Sequence, residues 1–304
     1  MATLADVNVL SGSRALQAGV VLLLCSTAVG SAFAQIQEGV GIPAPGGYTV
    51  AATILRPEGP GPFGAVILNH GVPVSDKERA GASSSDLLAS AAVFAQRGYV
   101  VVLPLRRGFG ATGGEFAEYT GSCSHPDYLG GEQAAAEDVM AAYEYARVLP
   151  YVDPHRMILA GHSAGGMVAL FTAGVRQPEG LVAVLAFAAG RGGNPALHPG
   201  VPCAAEPLAR VLDMVGRSIK APAMFHYAEN DQYFNPDTTR FWFQRFTAGG
   251  ARAEYVLQPP FGDDGHYVFG DRAGIRYWVP AVESFLARYG VPFKRLDTSA
   301  APSR

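Results

Sequence analysis

The sequence predicts an α/β fold: a mainly parallel central sheet flanked by helices, with one small lid insertion. Three observations carry this prediction. Short, uninterrupted apolar runs recur at 65–68, 99–103, 157–160 and 181–188, the pattern of strands covered on both faces. Stretches of helical spacing lie between and after them, at 85–97, 131–148 and 164–176, and strands alternating with helices imply parallel pairing through crossovers. The chain of 304 residues is 49% hydrophobic and 16% charged, enough apolar material for a single large domain.

Taken in order, a β-rich segment at 48–55 runs into the Pro/Gly stretch 57–62, read as a strand and turn. The strand at 65–68 ends at Asn69-His70-Gly71-Val72-Pro73, and the helix at 85–97 stops at Gly98 before the strand at 99–103. The glycine-rich loop 106–114 lacks the spacing of a phosphate cradle or dinucleotide fingerprint, so no cofactor is expected. Asp153, in Asp-Pro ahead of the 157–160 strand, reads as a turn former. Residues 189–220 are too long for a simple connection and hold a short helix around 208–215, hence the predicted lid. Strands at 223–227 and 254–257, an aromatic-rich helix at 238–246 and a helix at 275–289 complete the domain. Pro280 is expected to interrupt or begin the last helix.

The N-terminus reads as an export signal over 1–34. Arg14 precedes an apolar run at 18–25, and Ala32-Phe33-Ala34 supplies an A-x-A cleavage site before Gln35. The mature domain is then 35–304, periplasmic or secreted, without stable membrane association. Removing the signal takes Cys25 and leaves Cys123 and Cys203. They are either a disulfide clamping the lid over the site or two free thiols. With 23 basic and 26 acidic residues spread without blocks, net charge −3, nothing suggests a nucleic-acid or anionic-membrane surface.

Chemistry concentrates at Gly161-His162-Ser163-Ala164-Gly165, a G-x-S-x-G turn between the 157–160 strand and a helix. Such a turn lifts the Ser163 hydroxyl clear of the sheet and places the Ala164 N–H at a helix N-terminus, where it can hold an oxyanion. The Val72 N–H, beside Gly71, is the second expected donor. Asp231 and His266 fall on later loops at the same sheet edge, in the order nucleophile, acid, base. Glu229 and Asp237 are rival acids, read as solvated loop charges. His70 is read as a structural loop histidine and His226 as a packed strand residue. Asp263-Asp264-x-His266 is the only dense group of metal-ligand types, with no second cluster beside it, so no metal is expected.

On His70-Gly71, Arg107-Gly108-Phe109-Gly110, the elbow, Asp231 and His266, the chain resembles the dienelactone-hydrolase-like branch of the α/β-hydrolase superfamily. It is also similar in layout to the catalytic domains of prolyl-oligopeptidase-type serine hydrolases. The resemblance covers about 48–289 and implies a serine hydrolase of small carboxylic esters, an EC 3.1.1-type activity. Dienelactone hydrolases proper use cysteine where this chain has Ser163, which favours a general carboxylesterase. A small peptidase or acyl-aminoacyl hydrolase is the alternative, although peptidases of that group usually add a propeller domain for which the residues ahead of the sheet are too few. A non-catalytic binding protein on the same fold would be expected to have lost one of the three residues.

Overall fold

The computed structural model describes residues 35–296. The export signal expected over 1–34 lies outside the described residues, as does the segment 297–304. The first part of the chain comprises β1 (Gln35–Pro43), β2 (Thr49–Pro57), β3 (Phe63–Asn69), α1 (Asp76–Ala80), α2 (Leu88–Ala95) and β4 (Tyr99–Pro104). A two-stranded ladder, β5 (Gly121–Ser122) with β6 (His125–Pro126), precedes α3 (Tyr128–Arg147), β7 (Val152–His162) and α4 (Ala164–Val175). The remainder is β8 (Leu181–Phe187), α5 (Ala205–Ser218), β9 (Ala223–Ala228), α6 (Pro236–Thr247), β10 (Ala253–Gln258) and α7 (Ile275–Arg288).

Eight strands form one sheet in the order β1-β2-β4-β3-β7-β8-β9-β10. β1 and β2 pair antiparallel, as do β2 and β4, while all the pairs from β4 through β10 are parallel. The carboxyl ends of six strands therefore lie along one edge. Alternation of side chains divides the interior into two layers. Met157 and Leu159 of β7 join the cluster under α3, α4, α5 and α6, whereas Ile158 and Ala160 join the one under α2 and α7. All four are fully buried, which is why the strand reads as a continuous apolar run. Each large side chain buried this way contributes about 1.5–3 kcal/mol.

Two expectations are revised and one strand is added. Pro280 neither interrupts nor begins the last helix: α7 runs through it. The loss of one backbone hydrogen bond is tolerated because Trp278, Val282, Phe285 and Leu286 pin the helix to the sheet. Of the lid expected over 189–220, the second half is the crossover helix α5. Its Leu208, Leu212 and Val215 belong to the main core, leaving only the loop 189–204 as a minor addition. The edge strand β1 was not expected, because its apolar residues are interrupted by Glu38, Gly39 and Gly41 and most of it is not buried.

Cys123, in the turn between β5 and β6, is bridged to Cys203 with Cα atoms 5.4 Å apart. The bridge ties the loop after β4 to the loop after β8. Closing a loop across a sequence separation of 80 constrains the unfolded chain by about 4 kcal/mol. A Cys123→Ala/Cys203→Ala double variant should therefore lose most of that stability in equilibrium urea unfolding, compared with the oxidised wild type.

Candidate active site

The site is dictated by where the sheet changes direction of growth. β3 leads through α2 to β4 on one side, while its neighbour β7 leads through α4 to β8 on the other, and such a reversal opens a crevice at the carboxyl ends of the two diverging strands. His70 follows β3 there and Ser163 follows β7. Ser163 is the N-cap of α4 with φ 57° and ψ −125°, a sparsely populated backbone region that costs about 1–3 kcal/mol. Its amide is held by Phe187 O at 2.9 Å. Flanking glycines are obligatory: a Cβ on Gly161 would sit 2.2 Å from Gly165 O, and one on Gly165 would sit 2.2 Å from Asn69 O. The elbow is thus a contact between the first turn of α4 and the end of β3.

Opposite Ser163, His266 Nδ1 lies 3.0 and 3.1 Å from the two carboxylate oxygens of Asp231. Both side chains are almost wholly buried. Asp231 Oδ1 also accepts the N–H groups of Tyr233 at 2.8 Å and Phe234 at 3.0 Å, which fixes the carboxylate before the histidine is considered. With Nδ1 engaged, Nε2 is the ring nitrogen left for exchange. Tyr233 stacks on the imidazole with ring centroids 4.0 Å apart. Ser163 and His266 line one cavity of about 500 Å³, together with His70, Val72, Leu87, His162 and Tyr267. Glu229 and Asp237 are exposed, and the His266 ring bonds Asp231 and neither of them.

The Val72 and Ala164 amides donate to no backbone carbonyl, and both flank Ser163: Ala164 opens α4, and a Cβ on Gly71 would lie 3.2 Å from Ser163 Cβ. His70 is a loop residue, as expected. Its Nδ1–H donates to Gly71 O at 2.7 Å and its Nε2 accepts the Arg106 N–H at 3.1 Å. His226 is packed within β9, as expected from its place in a strand. Asp153 was expected in a turn ahead of the 157–160 strand but lies inside β7, where its Oδ1 accepts the His155 amide at 3.0 Å beside an irregularity in the pairing with β3.

Two residues near the site were not foreseen. His162 donates from Nε2 to the backbone carbonyl of His266 at 2.7 Å, tying the elbow to the His266 loop. Asp264, grouped in the sequence with possible metal ligands, accepts the amides of both His266 (2.9 Å) and Gln232 (3.0 Å). The Asp-x-His spacing is the signal for such a turn, since an aspartate readily bonds the amide two residues on. The bridged loop stands apart: among the described residues, none of 189–204 lines the cavity that holds Ser163, so the disulfide does not clamp a lid over it.

This architecture is the α/β-hydrolase fold. A profile of the prolyl oligopeptidase family matches residues 83–189, a span that contains Ser163 and stops short of Asp231 and His266. Among solved structures, the chain is similar to a Klebsiella pneumoniae protein assigned to the dienelactone hydrolases, at 18% identity and TM-score 0.58, covering 84% of this chain and 99% of that one. An esterase from Pyrococcus furiosus matches at 15% identity and TM-score 0.60 over 83% of this chain and 90% of that one. An acylaminoacyl peptidase matches at 13% identity and TM-score 0.60, covering 87% of this chain and 43% of the longer partner. A search of curated protein sequences gives no match.

Three buried histidines give the fold a pH signature. Burial pushes His70 and His162 down to about 3 and His226 down to about 4, from an ordinary value of 6.5. The unfolded chain takes up protons below 6.5 that the native rings refuse, so stability falls with pH through that window. At pH 5 the three rings should together take up about three protons on unfolding. Replacing one of them, His226→Phe, should reduce the slope of unfolding free energy against pH by about one proton, measured by urea titrations between pH 5 and pH 6.

Proposed function

We propose that the protein is a serine hydrolase of carboxylic esters, acting through an acyl-enzyme on Ser163. The observation that carries this reading is the Asp231 carboxylate 3.0 Å from His266 Nδ1, with His266 on the same cavity as a serine held on a strained turn. A serine hydroxyl is a weak nucleophile near neutral pH. His266 Nε2 takes its proton as Oγ attacks the ester carbon, while Asp231 holds the tautomer that keeps Nε2 free and stabilises the imidazolium that forms. The negative charge gathering on the carbonyl oxygen is met by the Val72 and Ala164 amides and by the N-terminal dipole of α4. Collapse of the tetrahedral adduct breaks the ester C–O bond, and the imidazolium gives its proton to the departing alcohol. Water, deprotonated by the same nitrogen, then frees the acid and restores Ser163.

The fold shared with esterases supports ester substrates. The prolyl oligopeptidase match and the acylaminoacyl peptidase neighbour support a second reading, cleavage of amides or acyl-aminoacyl bonds at the same triad. The cavity of about 500 Å³ suits a small acyl group in either case. The Cys123–Cys203 bridge supports work in an oxidising compartment after export. Among the described residues no helix is long and apolar enough to cross a membrane.

A fluorophosphonate probe should label the wild type once per chain, on Ser163, and abolish hydrolysis of p-nitrophenyl esters. Labelling that survives Ser163→Ala would refute the assignment. His266→Ala and Asp231→Asn should each lower kcat by about 10⁴-fold or more with the fold intact, whereas Glu229→Gln and Asp237→Asn should leave it near wild type. Aminoacyl nitroanilides run beside the esters decide between the two readings.

A further inference from the structure

The Val72 amide belongs to the peptide unit whose carbonyl is Gly71 O. In a trans peptide the C=O and N–H point in opposite directions, so whatever holds Gly71 O aims the Val72 N–H. The holder is His70 Nδ1–H, at 2.7 Å. That proton sits on Nδ1 because Nε2 accepts the Arg106 backbone N–H at 3.1 Å. Burial keeps the ring neutral, with its pKa lowered to about 3. The Arg106 side chain completes the grip, its Nη1 donating to His70 O at 3.0 Å. Both carbonyls of the turn are therefore fixed by Arg106 or by the ring it orients.

Arg106 is itself held by a chain of buried charge. Its Nε meets Glu118 Oε1 at 2.6 Å, Glu118 Oε2 meets Arg191 Nη2 at 2.6 Å, and Arg191 Nε meets Glu132 Oε1 at 2.7 Å. All four side chains are buried, Arg106 and Glu132 completely. Burying charge is a poor route to stability, because desolvation offsets most of the attraction and apolar replacements are often as stable. What such a chain supplies is direction, since a guanidinium presents its donors in a rigid planar fork.

We propose that Arg106 is a positioning residue for the oxyanion site: clamped by Glu118, it locks the His70–Gly71–Val72 turn with the Val72 amide aimed at the carbonyl oxygen bound beside Ser163. This rests on the serine-hydrolase reading above. The role is conformational, exerted through His70 and Gly71, and Arg106 itself touches no substrate.

The test uses the full chain and p-nitrophenyl butyrate, with active sites counted by fluorophosphonate and the oxyanion site probed by butylboronic acid, which forms a tetrahedral anion on the serine. Arg106→Lys keeps the charge opposite Glu118 but loses the fork. Its kcat per titrated site should fall about 10²-fold. KM should stay within about twofold, as expected for an interaction made only in the transition state, and the boronate inhibition constant should rise in step with the loss in kcat. His70→Leu, which leaves the ion chain intact, should show the same pattern. His70→Asn, whose side-chain N–H can stand where Nδ1–H stands, should recover most of the rate. The proposal is overturned if Arg106→Lys and His70→Leu keep wild-type kcat, if their losses lie in KM or in the number of titratable sites, or if His70→Asn is as slow as His70→Leu. Ser163→Ala separates the two levels. Hydrolysis surviving in that variant removes the serine reading itself, whereas hydrolysis lost there but kept in Arg106→Lys and His70→Leu removes the positioning role alone.

Discussion

Everything at the candidate site is measured from one steric constraint, the approach of the first turn of α4 to the end of β3. Gly165 presses against the carbonyls of Asn69 and His70, and Gly161 against Gly165, so closely that a single methyl at either position would overlap backbone. That contact forces Ser163 into its positive φ and sets Gly71 beside it. It also brings the ends of two adjacent parallel strands, β3 and β7, into register at Asn69 and Gly161. The strain in the serine backbone is held because hydrophobic burial on both faces of β7 leaves the strand no freedom to relax.

Asp231 and His266 come from different loops, yet they are tied into one unit by further hydrogen bonds between those loops. Asn230 donates to Gly262 O at 3.0 Å and accepts the Phe261 amide at 2.9 Å. Asp264 spans the same gap in the other direction by holding the Gln232 amide. Asp231 and His266 are thus joined through the backbone of their loops as well as through their own side chains. A pair built this way has little orientation left to lose when charge develops.

How much of this was legible in the chain follows from the range of the forces involved. The strands at 65–68, 99–103, 157–160 and 181–188 could be read because burial on both faces writes itself as an uninterrupted apolar run. The elbow could be read because only glycine fits its crowded backbone. Asp231 and His266 were legible from their position after strands. β1 was not, since an edge strand with Glu38 and two glycines carries neither signal. Pro280 misled because local propensity is overridden by the packing of Trp278 and Phe285. The roles of His162, Asp264 and Arg106 depend on partners up to 104 residues away, and nothing local announces them. The lid was overdrawn for a similar reason: α5 alternates polar and apolar residues like any surface helix, and only the fold shows its apolar stripe against α4 and α6.

The covalent ring closed by Cys123 and Cys203 contains α3, β7, the elbow and β8, so Ser163 lies on a segment fastened at both ends. A protease that nicks the chain anywhere between 123 and 203 cannot release a piece of it. The two pieces stay joined through the bridge, and the cut chain remains one covalent molecule. Only reduction of the Cys123–Cys203 bridge after such a cut would let the two pieces part.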